Sequence, residues 1–428
     1  MAKKGSVLIY NLFPRLVGPM ADWQDHFKRA KKMGFNWVYI NPLQYSGFSG
    51  SLYSIKDYYK INPIFLKGRM SEENQVHNMI HRAHLAGMKV MFDLVINHTA
   101  IDSVLVEQHP DWYQRGPRGG IKNPQVWEGD KLVCTWGDLA EIDNANSSDK
   151  EKLWKYWLDL IRYFIKLGVD GFRCDAAYQV PTELWEYLIG TIREENKKIQ
   201  FFAETLGCEI HEVVALGSAG FDYTFNSSKW WDFKEDWCLK QYKENAEVAP
   251  SIAFAESHDT PRLAKELGGN EAAIKMHYLF SAIYSTGVMM PVGFEYGFKK
   301  KVNVVRTTPA HWEEPKLDLV DFIAKTNALK KQYKVLREDN PIERIDVGNR
   351  MIFAMLKTSN DGKEKMLMLL NRDIKSHRHV KVNVSEIFGG VKLKDIYDIS
   401  VEHALPKVPR VLDYNLRPAQ VMLFFVQS

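Results

Sequence analysis

Short apolar segments alternate along the chain with longer stretches in which apolar residues recur at helical spacing. Each apolar segment spans five or six residues, a length typical of buried strands. We predict strands over residues 7–12, 37–41, 89–94, 171–175, 200–204, 221–225, 252–256 and 288–292.

Helical patterns lie between these strands. The clearest covers residues 153–167, where apolar residues such as Trp154, Trp157 and Ile161 repeat every three or four positions. Ser71 stands three residues before Asn74 and is a suitable N-cap for a helix. We predict further helices over 22–33, 71–86, 183–195 and 271–284.

This alternation of eight strands with helical stretches predicts an α/β chain built around a (β/α)8 TIM barrel. Such a barrel typically needs about 250 residues, whereas the eight strands and their helices extend over about 330, so insertions are expected. One is predicted over 99–138, where Gly, Pro and Trp are frequent and no helical period is visible.

The pattern changes to strand-rich segments beyond residue 338. Apolar runs cover 350–357, 365–370, 380–384 and 421–426, and Asp361-Gly362 is a typical hairpin turn between the first two. We therefore predict three parts: a (β/α)8 barrel formed by 1–98 and 139–338, a short inserted subdomain over 99–138 after strand 3, and a C-terminal antiparallel β-sandwich domain over 339–428.

Composition and charge exclude some functions. The net charge of +4 is too small and too dispersed to indicate nucleic acid binding. The chain has no run of eighteen apolar residues, so no membrane span is expected. A strand predicted from residue 7 leaves no room for a signal peptide, and the four cysteines lack metal-ligand spacing, so we expect a reduced, cytoplasmic setting.

Charged residues stand where several predicted strands end. Arg173 and Asp175 are two residues apart, so on a strand they face the same side. Taken alone, this pair is as readily a structural ion pair as a functional one. Asp93, Glu204 and the stretch 256–259 are charged residues at the ends of three other strands. Because the carboxyl ends of barrel strands form one rim, and unpaired buried charge costs several kcal/mol, the set indicates an active site.

The same residues resemble the ordered motifs of the α-amylase family of glycoside hydrolases and transglycosidases. The resemblance covers roughly residues 5–338, and the motifs appear in family order with family-like separations. They are Asp93-Leu-Val-Ile-Asn97-His98, Gly171-Phe-Arg173-Cys-Asp175-Ala-Ala, Ala203-Glu204, Ser257-His258-Asp259 and, more loosely, Tyr53-Ser-Ile-Lys-Asp57-Tyr58.

The resemblance implies a retaining mechanism with Asp175 as nucleophile, Glu204 as acid/base and Asp259 as the third catalytic carboxylate. These residue types suit the reaction, because retaining cleavage needs an ionised carboxylate on one side of the bond and a protonated carboxyl group on the other. We expect adjacent Arg173 to lower the pKa of Asp175 and an apolar setting to raise that of Glu204. From the residues alone, Asp259 is also a suitable N-cap for a helix near Pro261.

Other site residues follow from the resemblance. It implies that His98 and His258 hydrogen-bond the sugar, that Tyr53 stacks on it, and that Asp93 orients Arg173. Many family members carry Lys-His where this chain has Tyr178 and Gln179, and in the family that pair helps form the leaving-group side and one calcium ligand. We therefore expect Tyr178 to contact substrate, no metal-binding residues, and no required cofactor, with calcium only a weak possibility.

The sequence thus predicts a retaining enzyme acting on α-linked glucosides of the α-1,4-glucan or maltooligosaccharide type. A maltosyl or glucosyl transferase or isomerase of the same family is the alternative, because hydrolysis and transfer share one intermediate. A carbohydrate is the expected partner, and the oligomeric state is open. A non-catalytic glycan-binding relative is less well supported because all three carboxylates and Arg173 are present. An unrelated barrel enzyme would need a lysine or a metal cluster at the strand ends. No lysine stands at any of the eight predicted ends, and His98 and His258 lack metal-type spacing.

Overall fold

Eight parallel strands close into a barrel in the computed structural model, which describes residues 6–128, 130–231 and 237–427. Each strand pairs with the strands before and after it in the chain, and the last closes onto the first. The strands are β1 (Val7–Leu12), β2 (Trp37–Ile40), β3 (Lys89–Leu94), β4 (Gly171–Cys174), β5 (Gln200–Ala203), β6 (Tyr223–Phe225), β7 (Ser251–Phe254) and β8 (Gly287–Pro291). The predicted fold class is therefore confirmed.

Alternate residues of each strand face opposite sides of the barrel wall, as the pleat requires. Inward-facing residues such as Ile9, Tyr39 and Met91 fill the barrel interior as one buried cluster. Their neighbours, including Leu8 and Val38, pack outward against the helices in the main core. Because both faces are buried, the strands appear in the sequence as continuous apolar runs.

Helices surround the barrel between consecutive strands. Ser71 caps the second of them, accepting a hydrogen bond from the Asn74 backbone N–H at 3.3 Å, as predicted. Within the described ranges the helices that follow the eight strands are α1 (Gln24–Lys32), α2 (Glu72–Leu85), α3 (Lys150–Leu167), α4 (Thr182–Glu195), α5 (Ile210–Ala215), α6 (Trp237–Val248), α7 (Glu271–Tyr284) and α8 (Val320–Gln332).

The predicted element bounds differ from the observed ones mainly at strand ends. Asp175, Glu204 and Glu256 were placed in strands, but each strand stops before its carboxylate and releases that residue to the rim. Three helices, α5, α6 and α8, had not been assigned from the sequence. For α8 the reason is physical, because it buries Lys330 and Asn327 and therefore lacks a clear apolar stripe.

The segment after β3 contains more regular structure than the sequence indicated. His98–Ala100 pairs antiparallel with Leu139–Glu141, and Gln125–Glu128 pairs antiparallel with Lys131–Thr135. A short helix, Val104–Gln108, also forms where no helical period was visible, with Ser103 as its N-cap. A further antiparallel pair, Gln44–Ser46 with Ile55–Ile61, follows β2 and carries the loop that contains Tyr53. The predicted domain bounds themselves remain a prediction.

Seven strands form two antiparallel sheets in the C-terminal part. One sheet has five strands and the other has two. The larger sheet is buried on both faces: Phe353 and Met368 belong to the main core with the barrel, whereas Leu367 and Leu369 share a core with the smaller sheet. The strands are β9 (Ile342–Arg344), β10 (Ile352–Thr358), β11 (Glu364–Asn371), β12 (Arg378–Asn383), β13 (Ile396–Asp398), β14 (Val411–Leu416) and β15 (Val421–Gln427). The larger sheet has the order β9-β10-β11-β15-β13, and the smaller one pairs β12 with β14.

Two buried lysines complete the C-terminal end of α7, and one of them, Lys357, reaches it from the C-terminal part. Lys330 of α8 donates to the carbonyl oxygens of Ala282 at 2.7 Å and Ser285 at 2.6 Å, at the end of α7. Lys357 of β10 donates to those of Ile283 at 3.0 Å and Tyr284 at 2.7 Å. The carbonyl groups that end a helix have no partner within it, so both lysines satisfy acceptors that would otherwise be buried and unpaired. We call this pair the lysine cluster.

None of the helices in the described ranges is long and apolar enough to cross a membrane.

Candidate active site

The parallel register of the barrel brings the predicted charged residues together. Arg173 on β4 stands beside Asp93 on β3 in the ladder, with their Cα atoms paired. Asp175 follows β4 and Glu204 follows β5 at the same rim of the barrel, so both carboxylates lie close to Arg173. Asp259 comes from the loop after β7, as the motif order requires. We call Asp93, Arg173, Asp175, Glu204 and Asp259 the rim cluster.

Arg173 is the centre of the rim cluster. Its Nη1 donates to both carboxylate oxygens of Asp93, at 2.9 and 3.1 Å, and to Asp175 Oδ1 at 2.6 Å. Glu204 Oε2 lies 3.6 Å from Nη2 of the same guanidinium. Arg173 and Asp93 are almost completely buried, so their charges are satisfied by each other and not by water.

Glu204 directly follows β5, and two backbone N–H groups hold its carboxylate. Its Oε2 accepts from the Ala176 N–H at 2.9 Å and its Oε1 from the Leu206 N–H at 2.6 Å. Burial raises the pKa of Glu204 to about 7; nearby Arg173 opposes this and Asp175 adds to it. The predicted direction is therefore confirmed, and Glu204 can hold a proton near neutral pH.

The predicted lowering of the Asp175 pKa was wrong. Burial raises the pKa of Asp175 above its ordinary value, because loss of hydration outweighs the opposing effect of Arg173; the Asp259 charge raises it further. Distances still distinguish the two carboxyl groups, since Asp175 is 2.6 Å from Arg173 and Glu204 is 3.6 Å away. The negative charge of this coupled pair is thus better stabilised on Asp175, with the shared proton on Glu204.

Asp259 is about half exposed, with 48% of its side chain accessible, and its Oδ2 lies 3.1 Å from His258 Nε2. It does not cap the following helix, Leu263–Glu266, whose N-cap position is Arg262. Glu256 accepts from the N–H of Leu263, the first residue of that helix, at 2.5 Å and from Arg262 Nη1 at 2.7 Å. The capping alternative for Asp259 is therefore wrong, and Glu256 is the structural carboxylate of this strand end.

Tyr53 and His258 form a planar unit beside Asp93. Tyr53 Oη donates to Asp93 Oδ2 at 2.7 Å and lies 2.7 Å from His258 Nε2, with the two rings within 2° of parallel. His98 Nε2 and His258 Nδ1 are buried, and neither has a hydrogen-bond partner among the described residues. Burial lowers the pKa of His98 to about 4 and also lowers that of His258, so both are neutral. Unpaired buried ring nitrogens are free to bond a ligand.

Sequence reasoning missed three polar residues that support this unit. Tyr39 donates to Asp93 Oδ2 at 2.6 Å, and Asn41 donates to Tyr53 Oη at 2.9 Å. Asn11 in turn donates to Asn41 Oδ1 at 2.9 Å. Asn11 and Asn41 lie at the ends of β1 and β2, so the search for polar residues at strand ends that found Asp93 would have found them too.

Tyr178 lies next to the rim cluster, and its neighbour Gln179 bonds to Asn97. Tyr178 is half-buried, and burial, followed by the Glu204 charge, raises its pKa. Asn97 Nδ2 donates to Gln179 Oε1 at 3.0 Å. Both Asn97 and Gln179 line a cavity that also contains Lys122.

Lys122 places an ammonium group where the family resemblance raised the question of calcium. Its Nζ donates to Glu141 Oε1 at 2.9 Å and to Gln114 Oε1 at 3.0 Å. Those oxygens are therefore already neutralised by a fixed cation, which does not fit a second, divalent one. The described residues also contain no group of three or more His, Cys, Asp or Glu side chains arranged to hold a metal.

Sequence comparisons relate the chain to several proteins. A family model described as glycogen debranching enzyme, glucanotransferase domain, matches residues 3–114. An α-1,4-glucan:maltose-1-phosphate maltosyltransferase of Burkholderia pseudomallei is 24% identical over 86% of this chain and 33% of its own length. A cyclomaltodextrinase of Geobacillus thermopakistaniensis is 24% identical over 81% of this chain and 61% of its own. The chain thus spans one third to three fifths of these two relatives.

Solved structures share the fold over nearly the whole chain. An α-amylase from Lactobacillus plantarum superimposes with a TM-score of 0.76 at 22% identity, over 98% of both chains. A noncanonic maltogenic α-amylase from Thermotoga neapolitana gives 0.76 at 23% identity, over 99% of both. At these identities the likeness establishes the fold alone.

Fold and site together define a (β/α)8-barrel protein with a carboxylate centre at the carboxyl rim of its strands. The motifs around that centre stand in the order found in the α-amylase family of glycoside hydrolases, and the chain is similar to that family.

Proposed function

We propose that this protein is a retaining enzyme acting on α-linked glucosides. The observation that carries the proposal is the unequal pair of carboxyl groups around Arg173. Asp175 is bonded to the guanidinium at 2.6 Å, and Glu204, with a pKa of about 7, retains a proton. A retaining glycosidase needs one ionised and one protonated carboxyl group at its reaction centre.

In the first step, Asp175 attacks the anomeric carbon while Glu204 gives its proton to the leaving oxygen. The glycosidic bond breaks, and the sugar becomes an ester of Asp175. In the second step, ionised Glu204 takes a proton from water or from a sugar hydroxyl, whose oxygen then displaces Asp175. Glu204 is reprotonated and Asp175 returns to the anion, so charge and protons balance over the cycle.

Asp259, His98 and His258 are proposed to bind the hydroxyl groups of the sugar being cleaved. The half-exposed carboxylate of Asp259 and the unpaired ring nitrogens of the two histidines support these roles. Asp93 and Tyr53 are mutually bonded, so Asp93 is proposed to hold both Arg173 and the Tyr53 ring, which stacks on the sugar.

We propose α-1,4-linked glucans or maltooligosaccharides as substrates, since the matched relatives are named for α-1,4-glucan, maltose 1-phosphate and cyclomaltodextrin. Transfer to a second sugar, or isomerisation, is the alternative outcome of the same intermediate. Tyr178 supports transfer, because an aromatic ring near Glu204 can hold an acceptor sugar by its apolar face. Incubation with maltohexaose separates the two, because longer products require transfer and hydrolysis alone yields only shorter ones.

The test of the proposal is product analysis over a panel of maltose, trehalose, sucrose, maltose 1-phosphate and soluble glycogen. The anomeric configuration of the first product is read by NMR within the first minutes. Release of the α-anomer from an α-linked substrate is expected. Initial release of the β-anomer would overturn the two-step mechanism. No turnover of any member of the panel would overturn the proposed substrate class.

We also propose that activity needs no calcium and that the protein works in the cytoplasm. The Lys122–Glu141 ion pair supports the first proposal, and the small number of cysteines, four in 428 residues, supports the second. Full activity after dialysis against EDTA, compared with the same sample resupplied with calcium, checks the first. Cell fractionation checks the second.

A further inference from the structure

A second cavity, distinct from the rim cluster, lies where the barrel helices meet the C-terminal part. Its volume is about 360 Å³, within the range of about 300–1,000 Å³ typical of small-molecule sites. Met276 of α7, Phe322 of α8 and Val421 of β15 give it an apolar floor. The charged and polar groups in its lining are Lys275, Glu402, His403, Arg417 and Gln420, and the Glu402 carboxylate is paired with Lys275. We call it the accessory cavity.

Gln420 lines the accessory cavity and carries an unsatisfied donor. The residue is only 7% exposed, and its Oε1 accepts from the Arg417 N–H at 2.9 Å. Its Nε2 is buried and has no hydrogen-bond partner among the described residues. Buried amide donors are nearly always paired, so this one points to a partner with an acceptor oxygen.

Arg417 adds a cation without a counter-ion. Its Nη1 lies 3.1 Å from His403 Nε2, and no carboxylate in the described ranges is within salt-bridge distance of it. Lys275 differs, because Glu271 and Glu402 each lie 2.8 Å from its Nζ. The accessory cavity thus combines a free guanidinium with a free amide donor, a set that suits an anion rather than a neutral ligand.

The backbone that presents these groups is strained. His403 and Ala419 both have φ of +56°, in the left-handed region that non-glycine residues rarely adopt. Ala419 lies inside a turn closed by the Gln420 N–H donating to the Arg417 carbonyl at 3.1 Å. The turn therefore keeps Arg417 and Gln420 together at an energetic cost, and such strain is typical of ligand-holding segments. In the described ranges the one other non-glycine residue with positive φ is Ala176, whose N–H donates to Glu204 of the rim cluster.

We propose that the accessory cavity binds a small anion with a sugar-sized body, of the phosphate monoester class. The phosphate lies between Arg417 and Gln420 Nε2, and the body of the ligand covers the apolar floor. This site is separate from the proposed catalytic function and does not depend on it.

Calorimetric titration of the whole protein with glucose 6-phosphate, inorganic phosphate and glucose tests the proposal. Arg417→Ala removes the cation, and Arg410→Ala is the matched control, an exposed arginine outside the cavity lining. Gln420→Glu keeps the acceptor for the Arg417 N–H and replaces the free donor with a negative charge. Thermal melts of each variant check that it is folded.

The affinity for glucose 6-phosphate should be the same in wild type and Arg410→Ala. It should be at least tenfold lower in Arg417→Ala and in Gln420→Glu. Inorganic phosphate should bind several-fold more weakly than the ester. Equal affinity of Arg417→Ala and Arg410→Ala would overturn the site. Glucose binding as tightly as its phosphate would overturn the anion class, and inorganic phosphate binding as tightly as the ester would overturn the role of the apolar floor.

Discussion

The rim cluster and the lysine cluster both bury charge, but they stabilise it by different means. The rim cluster sets three carboxylates around one guanidinium, and a fourth carboxylate, Asp259, still reaches water. The lysine cluster directs two ammonium groups at neutral carbonyl oxygens at the end of α7. The first arrangement shares a proton between acids and suits chemistry, whereas the second completes a helix end and joins two parts of the chain.

The comparison predicts opposite consequences for mutation. Active sites commonly hold like charges close together at some cost in stability, so removing one charge can leave stability unchanged or improve it. Removing a donor from buried carbonyl groups leaves them unsatisfied and lowers stability. Substitutions in the rim cluster should therefore remove activity, and substitutions in the lysine cluster should lower the free energy of unfolding.

Asp175→Asn is expected to have the largest effect. Loss of the nucleophile should lower kcat by roughly 10⁴-fold or more, as for removal of a central catalytic group in other enzymes. The free energy of unfolding should not fall, because one of two competing acids is gone. Steady-state kinetics and urea denaturation measure both. Asp25→Asn, at an exposed position in α1, is the control, and substantial activity in Asp175→Asn would contradict its assignment.

The pH dependence of kcat/KM should reveal the proton on Glu204. Because burial raises the Glu204 pKa to about 7, the acid form is lost as the pH rises through that value. Beyond it, kcat/KM should fall about tenfold per pH unit, since one proton is required. Rates between pH 5 and 9 measure this limb. A flat profile from pH 6 to 9 would show that Glu204 is not the acid.

Lys357→Met should lower the free energy of unfolding by about 1–3 kcal/mol, because the carbonyls of Ile283 and Tyr284 lose their donor. The kcat should stay near the wild-type value. Urea denaturation measures the difference. Lys363→Met, an exposed lysine in the same part of the chain, should leave stability unchanged.

A pH series sharpens this comparison. Burial lowers the pKa of Lys357 from 10.5 to about 8 in the folded protein. Between those two values the unfolded chain holds a proton that the folded protein has released, so raising the pH across this window favours the folded state. The stability advantage of wild type over Lys357→Met should therefore grow from pH 8 to pH 10. An advantage that shrinks or stays constant would contradict the lowered pKa.

Tyr178→Ala should have the smallest effect. Loss of one aromatic contact of about 0.5–1.5 kcal/mol should reduce the ratio of transfer to hydrolysis roughly two- to tenfold. Chromatography of products from maltohexaose gives the ratio, with Tyr397→Ala at an exposed C-terminal position as control. An unchanged ratio would mean that Tyr178 does not hold the acceptor.

The two clusters also differ in how far the sequence could predict them. Arg173 lies on a recognisable strand that Asp175 follows, and the other carboxylates stand at the ends of strands of the same barrel. Their meeting point therefore follows from the topology. The partners of Lys330 and Lys357 are backbone carbonyls, which every residue has, so no pattern of side chains points to them. The shift of the Asp175 pKa could likewise not be predicted from the sequence, because the extent of burial decides whether that pKa rises or falls.

The central claim is that Asp175 becomes covalently attached to the sugar while Glu204 handles the proton. Mass spectrometry of peptic peptides after incubation with 5-fluoro-α-D-glucosyl fluoride, which slows the second step, tests it most directly. The account predicts one glycosyl group on the peptide that contains Asp175, lost when unlabelled maltose is added. A label on any other carboxylate, or no label while the reagent is consumed, would contradict it.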